Sequence, residues 1–254
     1  MADRTTAGSR REAGRRTPAP RRPEGLRGAV GSSSVAVPWP RIEDYALLGD
    51  TNTAALVNKN GSIDWLCLPR FDSPATFAAV LGNEENGRWQ IAPYGHVRAA
   101  RRRYRDETLV LETDFDTAEG SIRLVDFMPP RGKTAEVVRL VEGVRGRVRV
   151  HMDLRVRFHD GLTRPWLRHV DGAYAAIAGA DSVCLHTPVE TRDDGLAVRA
   201  DFFVTAGELV PFTLTWHPSH EAAPASIDPF RALADTEAYW RDLVPADVTA
   251  GLRV

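Results

Sequence analysis

Cysteine is nearly missing from this chain, with Cys67 and Cys184 the two examples in 254 residues. That excludes a multi-bridge disulfide framework, and no C-x-x-C spacing is available for a metal or redox motif. Lysine is almost as scarce: Lys59 and Lys133 stand among 33 basic residues, an arginine bias that reads as GC-rich codon usage. No window approaches the ~18 apolar residues of a membrane helix, and the start lacks an apolar secretory segment. Ser9-Arg10-Arg11 is followed by Glu-Ala-Gly-Arg-Arg where a twin-arginine signal needs apolar residues. These absences fit a protein of the reducing cytoplasm that has no membrane partner. A glycine-rich phosphate loop, H-E-x-x-H, G-x-S-x-G and zinc spacings are missing too, so no cofactor and no metal is expected.

The formal charge of -1 conceals an asymmetry. Residues 1–37 carry eight arginines against three acids and hold no aromatic residue. Such an Arg/Pro/Ala-rich segment has too little apolar surface to offset its ordering entropy, so it is expected to be disordered. A nucleic-acid arm is the less favoured reading, and no nucleic-acid partner is expected.

From Pro38 onward the dominant period is two. Val148, Val150, Met152, Leu154, Val156 and Phe158 alternate with Arg147, Arg149, His151, Asp153, Arg155 and Arg157, which predicts a half-buried strand with the charged set in solvent. Further strands are predicted at Ala54–Asn58, Ser62–Leu68, Thr108–Asp116, Ser121–Met128, Thr134–Glu142, Ala197–Thr205 and Leu209–His217. Glycine-containing turns separate many of them, and many strands at this spacing indicate a large antiparallel β-sandwich over residues 38–226. The period changes from Asp228-Pro229-Phe230 onward: Asp228 suits an N-cap and Pro229 the first helical position, so residues 227–254 read as a short linker helix and the chain's end.

Between the first two predicted strands lies Lys59-Asn60-Gly61, a hairpin-turn signal. Pro69 ends the second strand and leaves Arg70-Phe71-Asp72-Ser73-Pro74 on a loop. Asp72 and Ser73 also suit the cap of a helix over Ala75–Leu81. Arg70 has two carboxylates in reach, Asp64 and Asp72, or it contacts a ligand or a facing domain. Cys67 reads as a small buried hydrophobe. Trp166 and Trp216 are candidates for stacking on sugar rings, with core packing the plainer reading. The pair His217 and His220 reads as part of a surface loop, and no position has the pattern of a catalytic residue.

Several of these stretches together resemble a known family. Tyr45 to Asp50, Thr53 to Val57, Gly61 to Ser73 (GSIDWLCLPRFDS), Gly87-Arg88-Trp89, Asp126 to Pro129, Trp216 to Glu221 and Asp235 to Trp240 occur in the order found in bacterial glucoamylase and trehalase-like enzymes of glycoside hydrolase family 15. The resemblance implies an amino-terminal super-sandwich that precedes an (α/α)6 barrel, with both catalytic glutamates in the barrel and inversion at the anomeric centre. It covers the sandwich and the first linker helix, so it assigns no catalytic residue here. Arg70, Phe71 and Asp72, with Asp64 and Trp65 before them, become candidates for a substrate loop or domain interface. His159-Asp160-Gly161 lacks the tyrosine that usually precedes that glycine. The expectation is a fragment, a frameshifted gene or half of a split enzyme, whose partner is a separately encoded barrel acting on an α-glucoside or glucan. The alternative is a stand-alone carbohydrate-binding or protein-interaction module.

Overall fold

A computed structural model describes residues 40–170 and 172–243. The expected disorder of residues 1–37, and everything after Leu243, lie outside the described residues. The strands run β1 (Tyr45–Gly49), β2 (Ala54–Asn58), β3 (Ser62–Cys67), β4 (Ala75–Ala78), β5 (Arg88–Pro93), β6 (Ala99–Tyr104), β7 (Leu111–Asp116), β8 (Gly120–Phe127) and β9 (Ala135–Arg155). A one-turn helix α1 (Phe158–Gly161) is followed by β10 (Trp166–Val170), β11 (Ala173–Ala178), β12 (Asp181–His186), β13 (Arg192–Asp193), β14 (Val198–Thr205) and β15 (Leu209–Pro218), then helix α2 (Pro229–Leu243).

The expected sandwich is present, and one strand belongs to both of its sheets. The first half of β9 pairs with β8 and with β15, as in Trp216 opposite Ala135. Its second half pairs with β14 and β5, as in Val198 opposite Leu154 and Trp89 opposite Leu154. The turn signal Val144-Arg145-Gly146 therefore marks a crossing between sheets, not a break between strands. Gly143 and Gly146 permit it: a Cβ on Gly143 would lie 2.0 Å from the Thr205 carbonyl, and Gly146 has φ +70°. One sheet holds β1, β2, β3, β4, β5, β13 and β14, and the other β6, β7, β8, β10, β11, β12 and β15.

Alternation then assigns the faces. Val137 and Val141 of β9 join Leu48, Ile63, Trp89, Ile91, Phe115, Leu124 and Phe212 in the core between the sheets. Val138 and Leu140, with Val125 and Phe127, form a second cluster capped by Ile227, Ala232 and Leu233. This is why β8 and β9 read as apolar on both faces: α2 covers the outer one. Asp228 caps that helix as the sequence predicts, its Oδ1 accepting from the Phe230 and Arg231 amides at 3.0 and 3.1 Å.

Three expectations need correction. Ala75–Ala78 is strand β4 followed by a 3-10 turn at Ala79–Leu81, not a helix. All four residues of β4 are buried, and pairing with Trp65 to Cys67 overrides the capping signal. The charged face of the 147–158 segment is not all in solvent: Asp153 is buried and accepts from Arg88, Arg155 and Arg199 at 3.3, 2.9 and 3.1 Å. Arg157 is buried as well, and His151 is partly covered, with Nδ1 3.1 Å from Asp201 Oδ1. Flanking strands on both sides supply the long side chains that cover this face. His217 is buried in β15, its Nδ1 2.9 Å from the Pro218 carbonyl oxygen, while His220 stays exposed.

The Asn60-Gly61 turn forms as read, with Gly61 at φ +80°. A Cβ there would sit 2.2 Å from the Ile91 carbonyl, and the Gly61 carbonyl accepts from the Arg139 guanidinium and from the Ile91 amide. Gly61→Ala is expected to lower the unfolding free energy by about 2–3 kcal/mol, from positive-φ strain plus the clash. Urea denaturation followed by circular dichroism checks it.

Candidate functional site

The chain leaves β3 at Cys67 and passes through Leu68 and a cis Pro69 into the loop singled out by the sequence. The Arg70 carbonyl accepts from the Ser73 amide at 3.0 Å, and the Arg70 amide donates to Ser73 Oγ at 3.2 Å, closing a tight turn. On that turn the Arg70 guanidinium meets Asp72 through two parallel bonds, Nε to Oδ1 at 2.9 Å and Nη2 to Oδ2 at 2.6 Å. Two in-plane contacts fix the fork's orientation better than a lysine would. Both side chains are about two-thirds exposed, and Phe71 between them is 67% exposed. The pair holds the Asp72 carboxyl below the usual aspartate range and raises Arg70.

The other expected partner is elsewhere. Asp64 is buried in β3 and accepts from Tyr45 Oη at 2.8 Å and Ser62 Oγ at 2.5 Å. Burial, and then the Asp64 charge, push the Tyr45 hydroxyl up to about 12. Trp65 is half-buried against Cys67, Ala75 and Ala78. The loop therefore presents Arg70, Phe71 and Asp72, while Asp64 and Trp65 anchor the strand beneath it.

Residues that sequence reasoning passed over do the bracing. Asp50 is fully buried; its Oδ1 accepts the Asn52 and Thr53 amides at 2.9 and 2.8 Å, and its Oδ2 accepts Arg131 Nε at 2.7 Å. Arg131 also donates to the Pro69 carbonyl at 2.5 Å, and the Phe71 amide donates to the Asn52 carbonyl at 3.0 Å. From the opposite side, Asp160 Oδ1 accepts the Ala75 amide at 2.8 Å. Asp160 itself has φ +60°, next to His159 at +54° and Gly161 at +86°. Two non-glycine residues in that region are costly and persist only where neighbours hold them. The Asp-Thr-Asn-Thr run after β1 was the available signal for Asp50, since aspartate bonding to amides two and three residues on is a turn pattern.

The loop offers a guanidinium, a carboxylate and an aromatic face, all suited to contact; its carboxylate is committed to Arg70. Cys67 and Cys184 are buried, and burial raises both thiols, Cys184 to about 11, which leaves them poor nucleophiles. Among the described residues no group of three or more His, Cys, Asp or Glu is placed to hold a metal ion. No described helix is long and apolar enough to cross a membrane.

The two tryptophans divide. Trp216 is partly buried on the main core, and its Nε1 donates to Asp181 Oδ1 at 3.0 Å. Trp166 is 66% exposed on β10, with the Arg168 guanidinium carbon 5.0 Å from its ring centroid. Strands β11 and β12 separate their strands, so the two rings do not form one platform.

Removing the Arg70 charge by Arg70→Met is expected to raise the Asp72 midpoint toward the ordinary value of about 3.9. A depressed folded value means that the pair is fully formed above the unfolded value and is lost as pH falls through the folded one. Carboxyl-carbon NMR titration checks this; an unchanged Asp72 midpoint would contradict the pairing.

Sequence comparison shows which known proteins this chain is similar to. The trehalase from Mycobacterium tuberculosis is 28% identical over 242 residues, covering 84% of this chain and 35% of the relative. The trehalase from Thermoplasma volcanium is 27% identical over 237 residues, covering 88% and 37%. Trehalase 2 from Sulfolobus acidocaldarius reaches 34% over 119 residues, covering 47% and 19%. The chain thus spans about a third of the length of the curated relatives it matches. The family described as "Trehalase-like, N-terminal" matches residues 35–206, more than half of the sequence and nearly all of both sheets. This chain belongs to the trehalase-like N-terminal domain family.

Proposed function

We propose that this chain is the non-catalytic sandwich of a trehalase-like hydrolase of glycoside hydrolase family 15, and that an (α/α)6 barrel outside its sequence carries the catalytic carboxylates. The sandwich holds the Arg70 loop against that barrel, where the guanidinium hydrogen-bonds a sugar hydroxyl or braces the rim of the substrate site. The observation that carries the reading is the contrast within the loop. Its base is fixed by the buried Asp50, paired with a part-exposed Arg131, and by Asp160, while Phe71 and the Arg70–Asp72 fork project into solvent. Bracing of this kind reduces the ordering cost of a later contact.

Inverting hydrolysis needs an acid and a base about 6.5–9.5 Å apart across the scissile bond. The presented loop has one carboxylate, already paired. The reading therefore expects no glucose release when the purified 254-residue chain is incubated with trehalose, maltose or soluble glucan. Glucose release that scales with protein and survives repurification would refute the non-catalytic assignment.

A further inference from the structure

The edge of a sheet presents unpaired backbone N–H and C=O groups, and a folded protein has to close or cover each one. Most edges of this sandwich are managed. β6 reaches across to β1: Tyr104 Oη donates to the Leu47 carbonyl at 2.9 Å and accepts from the Leu47 amide at 2.8 Å, while Arg102 donates to the Asp44 and Val57 carbonyls at 2.8 and 3.0 Å. β4 is covered by α1 and its flanks, with the Thr76 carbonyl accepting from the Arg157 amide at 3.1 Å and Asp160 accepting from the Ala75 amide. β13 is two residues long.

β10 is treated differently. Its five residues pair with β11 on one side, and among the described residues no strand and no backbone group meets the other side. The sequence WLRHV holds neither proline nor lysine, the residues that most often blunt an edge; Pro165 stands just before it. Trp166 is 66% exposed, and Arg168 and His169 are exposed as well.

We infer that β10 pairs antiparallel with β10 of a second copy of this chain, about a two-fold axis at Leu167. Such a pairing is self-complementary, as a two-fold contact has to be. It sets Trp166 opposite Arg168 of the second copy, twice over, with Cβ atoms about 4.5–5.5 Å apart, within reach of a guanidinium on an indole face. Within one copy the Arg168 guanidinium carbon is already 5.0 Å from the Trp166 ring centroid, so two rings and two guanidinia would share one cluster. Leu167 packs at the margin of the main core and would meet its own copy on the axis, joining the two cores. The alternative register, centred on Arg168, opposes two guanidinia directly and is disfavoured. An all-helical barrel has no strand edge to add here, so the pairing neither competes with the scaffold role nor rests on it.

Sedimentation equilibrium of the full 254-residue chain tests the inference. A single strand pair is a small interface, so a reversible monomer–dimer equilibrium with Kd of about 10–100 μM is expected over a loading range of about 1–200 μM. Trp166→Lys sets like charges across the pair and is expected to weaken the dimer at least about tenfold. Arg168→Glu removes the cation from the same pair and is expected to weaken it about fivefold. An equal mixture of the two variants is expected to form a heterodimer at least about tenfold tighter than the Trp166→Lys homodimer, because the new lysine then faces the new glutamate. Both substituted side chains are exposed, so thermal melts of the variants should coincide with that of the parent. A chain that stays monomeric throughout the range would overturn the inference. So would a dimer that neither variant weakens, or a mixture no tighter than the Trp166→Lys homodimer.

Discussion

Arg139→Met is expected to lower the unfolding free energy by about 3–5 kcal/mol, the usual penalty when one member of a buried ion pair is removed. Arg139 sits on β9 with no solvent exposure, and so does its cross-strand partner Asp126 on β8. The guanidinium donates to Asp126 at 2.8 and 3.2 Å and then reaches across the sandwich to the carbonyls of Trp89 and Gly61, at 2.5 and 2.7 Å. It is therefore a polar bridge between the two sheets, stacked 5.1 Å from the Trp89 ring centroid. Met fills much of the volume but leaves the Asp126 carboxylate without its partner, takes the guanidinium from the Trp89 carbonyl, and leaves the Gly61 carbonyl with the Ile91 amide alone. Burial already pushes the Asp126 carboxyl up against the opposing pull of Arg139, so the pair need not be a net source of stability. The double variant Arg139→Met with Asp126→Leu is accordingly expected to recover most of the loss. Urea titrations of the three proteins decide the matter; a single-variant loss below about 1 kcal/mol would contradict the bridge.

Asp50→Ala is the second large effect. It strips Arg131 of its carboxylate partner and leaves the Asn52 and Thr53 amides unsatisfied beneath the loop. The expected cost is about 3 kcal/mol, near the lower end for buried pairs because the Arg131 side chain keeps some exposure. The change has a local signature as well. The Phe71 amide, bonded to the Asn52 carbonyl, should exchange with solvent at least about tenfold faster relative to amides of β9, because the Asp50 turn is what holds Asn52 in place. Uniform acceleration across the molecule would point to global destabilisation without a special role for the loop's base.

Period-two alternation made most of the sandwich legible, because each inner-face residue of β8, β9, β14 and β15 answers to the same core. It failed where a segment meets more than one environment. β4 carries a capping signal that strand pairing overrides, and on the charged face of β9 Asp153 is covered by arginines from neighbouring strands while Arg147 and Arg149 stay exposed. Of the site, the exposed Arg70, Phe71 and Asp72 were readable from a proline-terminated strand. Asp50 offered only a turn pattern, and neither it nor Arg131 nor Asp160 could be tied to the loop, since they act on it from 20, 61 and 90 residues away from Arg70 in sequence, and only the fold brings them to it. The same holds for Arg139, which by sequence is one more basic residue on a strand.

The measurement that bears most directly on the scaffold assignment is steady-state trehalose hydrolysis by a chimera in which residues 40–243 replace the matching segment of the Thermoplasma volcanium trehalase. The scaffold reading predicts that the chimera releases glucose, and that Arg70→Ala within it lowers kcat/KM at least about tenfold while its melting temperature moves by no more than about 2 °C. Unchanged kcat/KM in the Arg70→Ala chimera would contradict the role given to the loop.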